Sequence, residues 1–285
     1  MIKIAVAGFH KCGSSSLFEM LSQHPGLRAQ KAGQPPNFLA SEDFRASFQR
    51  IRQDYFGGCA NTEALLLRDN RLAFDKPALR RLSQLSPETT LVFIVRDPAE
   101  RAYSAYRHAV NRGFEDPVGF DEILHRGTEG EADGLEPPLR RYLSMGFYHE
   151  ALAAAQECFP SEQIVVLTSD ALRLHPATTC NTVFTAAGLS PFTVSGVQRN
   201  KAAAFRFRRL GIFLRSDSAI KRILRILLPV SARTKLIQTL HSANTIKGSD
   251  APMTTAQRAA LEALYSEPNQ RLFDDFGVSF IDRGK

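Results

Sequence analysis

VAGFHKCGSSSLFEML, residues 6–21, decides the fold of this chain. The run Ile2–Ala7 reads as a strand, and it enters a loop of glycine and serine. Leu17, Met20 and Leu21 then recur at helical spacing, and His24-Pro25-Gly26 stops the helix. A strand, a glycine loop and a helix start together form an anion cradle, because unpaired backbone N–H groups point outward there. Gly8 and Gly13 have the separation of a nucleotide-binding P-loop, yet Ser14 and Ser15 stand where Lys-Ser/Thr should follow. The loop's lysine, Lys11, lies inside it instead. A lysine placed after Gly13 would stabilise γ-phosphoryl transfer, so its displacement points away from that chemistry. The plain alternative is a tight turn that binds nothing.

Working outward, strands and helices alternate. Residues 43–56 are readable as a helix, and 77–85 form a predicted helix with proline at its start. Residues 89–95, TTLVFIV, are apolar like a central parallel strand. A helix follows over 97–113, with Asp97 as N-cap and Pro98 at its first position. The spacing further predicts a polar loop at 127–138, a helix over 139–157, a strand over 163–169 and a helix over 175–187. The last hundred residues read as helices joined by loops, one of them mobile at 243–253. The expected fold is α/β and P-loop-like, three layers with a central parallel sheet flanked by helices. It makes one domain, residues 1–190 as the α/β core and 191–285 as a basic, mainly helical C-terminal part.

A second anion motif lies in LVFIVRDPAERAYSAY, residues 91–106. Arg96 is expected at the carboxyl edge of the sheet, where open α/β folds bind ligands. Ser104 comes about two helical turns later, and an arginine fork with a hydroxyl can grip one phosphate. Alternatively, Arg96 pairs with Asp97 or Glu100, and Ser104 merely packs.

Together the two motifs resemble those of sulfotransferases that use 3′-phosphoadenosine 5′-phosphosulfate (PAPS), most closely the heparan-type and bacterial carbohydrate branch. GFHKCGSSSLFEMLSQHP resembles that family's 5′-phosphosulfate loop, and VRDPAERAYSAY its 3′-phosphate motif. The later RYLSMGFYHEAL, QIVVLTSDAL and LEALYSEPNQRLFDDFGV follow the family's order. The resemblance implies that His10, Lys11, Gly13, Ser14, Ser15 and Ser16 hold the 5′ end, with Lys11 on the leaving oxygen. It assigns Arg96 and Ser104 to the 3′-phosphate, with Arg206 from the later basic segment completing that site. Sulfuryl carries less charge than phosphoryl, so an ammonium and backbone amides serve the leaving group, and no metal is expected.

The acceptor's proton needs a base. The family's glutamate falls in QPPNFL, residues 34–39, where Pro35 takes its place. Asp69, in LRDNRLAF, and Glu42 become the candidates, ahead of His108 and His149.

The net charge is +7, and residues 199–235 hold eleven Lys or Arg against Asp217 alone, leaving the rest of the chain at −3. Basic and apolar residues interleave over 204–229, which suits a packed helix face, the cofactor or a peripheral membrane contact. Nucleic-acid binding lacks a reading motif. Cys12, Cys59, Cys158 and Cys180 have no paired spacing, and nothing resembles a signal peptide or a run of about 20 apolar residues, so a cytoplasmic protein is expected. The expected reaction is sulfuryl transfer to a hydroxyl or amine of a carbohydrate or small metabolite. The rivals are a P-loop nucleoside or sugar kinase and a non-catalytic anionic-glycan binder.

Overall fold

Strand β1, Ile2–Gly8, lies between β3, Leu65–Arg68, and β4, Thr90–Val95, in a five-stranded sheet of order β2-β3-β1-β4-β5. The edges are β2, Arg28–Ala29, and β5, Ile164–Thr168, and every pairing is parallel. The computed structural model describes residues 1–31, 37–57, 63–111, 119–128, 142–196, 203–205, 245–247 and 252–280.

Buried strands explain the apolar runs. Ile4, Val6, Leu65, Leu66, Leu67 and every residue from Leu91 to Val95 are fully buried. The helices are, in chain order, α1 (Ser14–Leu21), α2 (Phe44–Phe56), α3 (Lys76–Leu85), α4 (Pro98–Asn111) and α5 (Phe120–Thr128). They continue with α6 (Tyr148–Gln156), α7 (Ser169–Leu174), α8 (Pro176–Ala186) and α9 (Thr255–Phe276). Leu17 and Leu21 of α1, Leu82 of α3, Leu152 of α6 and Val183 and Phe184 of α8 are buried in one core with the strands. The expected Asp97 cap forms, its carboxylate accepting from the Glu100 amide at 2.7 Å, and Asp75 also caps α3 by accepting from the Ala78 amide.

Three readings change. The predicted helix over 139–157 is interrupted: a turn through Gly146 and Phe147 precedes α6. A Cβ on Gly146 would stand 2.8 Å from the Tyr265 ring, so the chain packs here as only glycine allows. Within the expected loop 243–253, Thr245–Lys247 forms β7, paired antiparallel with β6, Ala203–Phe205. The sheet gains β2 and β3, which leucine-rich LLLR does not announce as a strand.

The chain divides into two compact units. The first comprises Met1–Arg101, Leu143–Arg199 and Glu262–Lys285, and contains the sheet. The second comprises Ala102–Tyr142 and Asn200–Leu261. There Phe120 lies 5.1 Å from the Tyr103 ring and 5.0 Å from that of Tyr106, and Gln257 donates to Asp121 at 2.9 Å. Apart from Ala203–Phe205, the basic stretch 199–235 lies outside the described residues, as do Arg206 and Pro35.

Candidate functional site

Where β1 ends, the chain makes two left-handed residues in three: Lys11 at φ 69° and Gly13 at φ 101°. Gly13 is the N-cap of α1 and adopts this region freely, whereas a side-chain-bearing residue held there stores about 1–2 kcal/mol. Such strain collects at ligand-gripping segments. The loop is fastened on both sides: the Phe9 amide donates to the Ile94 carbonyl of β4 at 2.9 Å, and the Cys12 amide donates back to Phe9 at 3.3 Å. Gly13 has no side chain with which to cap α1, and uncapped first-turn amides are groups that can donate to an anion. Ser14 is buried at the helix start, and Ser15 and Ser16 are half-buried beside it.

The strand order brings charge to both sides of this loop. β3 and β4 flank β1 and run parallel to it, so the residues that follow them emerge at the same edge. From β3, Arg68 donates through Nη1 to the Ser15 hydroxyl, and its guanidinium stacks 5.5 Å from the Phe18 ring. Sequence reasoning missed Arg68. Its signal was an arginine closing the apolar run LLL, visible once that run is recognised as a strand.

From β4, Arg96 emerges as expected and pairs with Glu100, Nη2 at 2.8 Å and Nε at 3.1 Å from one carboxylate oxygen. Its side chain stays 32% exposed. Ser104 sits two turns further along α4, half-buried, and falls in the second compact unit.

The two base candidates differ sharply in their surroundings. Asp69 is 2% exposed, and its oxygens accept from the Arg71 amide at 3.0 Å, Nε at 2.8 Å and Nη2 at 2.5 Å. Glu42 is exposed, one residue before the Asp43 cap of α2. His149 pairs with Asp275 at 2.6 Å. His10 keeps an exposed edge, yet the groups packed around its ring desolvate it, and the charges of Lys11 and Arg101 add to this, lowering its pKa to about 4. The imidazole is therefore neutral around pH 7. Among the described residues, no group of three or more His, Cys, Asp or Glu side chains is arranged to hold a metal ion.

A glycine loop, a strained lysine and two arginines from flanking strands can hold a multiply charged anion. Residues 2–202, which contain all of these, match the sulfotransferase domain.

The chain belongs to the sulfotransferase family.

The chain is 28% identical over 199 residues to the human bifunctional heparan sulfate N-deacetylase/N-sulfotransferase 3. It is 26% identical over 186 residues to bifunctional heparan sulfate N-deacetylase/N-sulfotransferase 1 of Caenorhabditis elegans. The matches cover 66% and 63% of this chain but 22% and 21% of those relatives, so the chain spans about a fifth of their length. Its fold is that of a sulfotransferase from Alicyclobacillus acidocaldarius, with a TM-score of 0.67 at 18% identity, covering 98% of this chain and 97% of the other.

Proposed function

We propose that this protein transfers a sulfuryl group from PAPS to a hydroxyl or amine of a carbohydrate or small metabolite. The observation that carries the proposal is the Lys11 loop flanked by Arg68 and Arg96, a donor set rich in cations and amides that suits a ligand with two anionic ends. When bound, PAPS supplies the activated sulfuryl group. Lys11, Gly13, Ser14, Ser15 and Ser16 hold its 5′ end, with His10 alongside. Arg68 adds a cation through Ser15. Arg96 holds the 3′-phosphate, a role in which the resemblance also names Ser104 and Arg206.

With PAPS bound, Lys11 would stabilise the charge that collects on the leaving oxygen of the bisphosphate. An ammonium already fixed in place stabilises that charge without reorganising. The acceptor's proton goes to a carboxylate, Asp69 or Glu42. Asp69 takes this role only by loosening its pair with Arg71, whereas Glu42 has an exposed carboxylate. The relatives' N-sulfotransferase names favour a carbohydrate amine among the acceptors to test. We place the reaction in the cytoplasm, which the free thiols of Cys12, Cys158 and Cys180 support. Membrane contact through 204–229 rests on the interleaving of basic and apolar residues alone.

The test is a thermal-shift titration with adenosine 3′,5′-bisphosphate, set against ATP with Mg²⁺. A ligand at a hundredfold its Kd adds about 2.7 kcal/mol, or roughly 5 °C in a domain of this size. A shift with the bisphosphate, followed by turnover on amino sugars, supports sulfuryl transfer. A shift with ATP and Mg²⁺ alone replaces the proposal with a kinase. Bisphosphate binding without turnover on any acceptor leaves a glycan-binding relative.

A further inference from the structure

Tyr148 opens α6 and is 1% exposed, with its ring 4.6 Å from that of Phe9 at the start of the loop. Its hydroxyl meets two groups distant in sequence. It donates to the backbone carbonyl of Arg96 at 2.9 Å, and it lies 3.5 Å from the Cys12 thiol. The contact with the thiol can run in either direction, and the Cys12 thiol also reaches the His10 carbonyl at 3.8 Å.

Burial raises the pKa of both groups, so neither ionises at neutral pH. One side chain thus fastens the tip of the loop and the turn after β4. The Phe9–Ile94 backbone bond ties the same loop to the end of β4, just before that turn. Under the reading above, these segments grip opposite ends of one ligand.

We propose that Tyr148 is a positioning residue, holding the 9–13 loop and the Arg96 turn in the register at which a single ligand engages both. Preorganised sites keep more of their interaction energy as affinity, because less is spent ordering the protein. The second phosphate of a bisphosphate benefits only if its partner already stands at the right separation from the loop. The inference rests on the donor assignment and goes beyond it, because that assignment gives Tyr148 no role at either end of the ligand.

The experiment compares the full chain with Tyr148→Phe and Cys12→Ala by calorimetry. The probes are adenosine 3′,5′-bisphosphate, which engages both segments, and AMP, which reaches only the loop. Tyr148→Phe keeps the Phe9 contact and removes the hydroxyl. The bisphosphate should weaken about three- to tenfold, as for a lost neutral hydrogen bond, while AMP changes by less than about twofold. Cys12→Ala should lower the same preference by a smaller factor, and it carries the test if Tyr148→Phe does not fold. Equal weakening of both probes, or a lower Tm with an unchanged preference, overturns the inference and leaves Tyr148 a packing residue. A wild-type protein that binds neither probe, or shows no preference between them, overturns the donor assignment itself.

Discussion

Arg96 grips Glu100 one helical turn away, both guanidinium contacts falling on a single carboxylate oxygen. That pair puts a negative charge at the place assigned to the 3′-phosphate. Glu100→Gln preserves the shape and removes the charge. We expect bisphosphate binding to tighten about two- to fivefold, in line with a partly exposed ion pair, and the gain to shrink at high salt. Arg96→Lys loses the fork and should weaken binding about tenfold. Calorimetry at two ionic strengths reads both. If Glu100→Gln weakens binding instead, Glu100 orients the arginine more than it opposes the phosphate.

Lys11, proposed to serve the leaving oxygen, has a strained backbone at φ 69°. Lys11→Ala should lower kcat by about a hundredfold or more, as for loss of a preorganised charge-stabilising donor. Lys11→Gly should turn over equally poorly but be more stable than Lys11→Ala by about 1 kcal/mol, since glycine relieves the left-handed conformation. Parallel kinetics and denaturant melts separate the two effects. Turnover near wild type in either variant would remove Lys11 from the mechanism.

Asp69 distinguishes a base from a clamp. The carboxylate is 2% exposed and held by three nitrogens of Arg71, so its removal should be felt in the fold. Asp69→Asn is expected to cost about 1–3 kcal/mol of stability, read from urea midpoints. A fully stable variant that has lost only kcat would instead identify Asp69 as the base, and an inactive Glu42→Gln would point to Glu42.

His10 gives the loop an acid-sensitive stability. Its folded pKa of about 4 lies below the ordinary 6.5, through desolvation first and then Lys11 and Arg101. Between those values the unfolded chain holds a proton that the folded chain does not. Stability is therefore undiminished above pH 6.5 and declines as pH falls toward 4. His10→Gln should flatten this acid limb in a series of melting curves from neutral pH downward. Curves that stay parallel for both proteins would mean that the imidazole is not desolvated.

Much of the sheet and its flanking helices was legible because the signals were short-range. Asp97 followed by Pro98 marks a helix start whatever surrounds it, and TTLVFIV is too apolar to lie anywhere but inside. Gly13 ahead of three serines marked the loop for the same reason. LLLR was not legible as a strand. Leucine favours helices as readily, and only pairing with β1 and β2 settles the matter. The break at Gly146 was hidden too, because its cause is a tyrosine ring from α9.

The sequence by itself determined where the glycine-serine loop lies and that Arg96 would emerge at the sheet edge. Tertiary structure alone decided what stands beside them. Arg68 reaches Ser15 across 53 residues, Tyr148 reaches Arg96 across 52 and Cys12 across 136. Caps and periodicities are written within a turn or two of chain. These contacts depend instead on β1 lying between β3 and β4, an order set by burying all the apolar strands in one sheet at once.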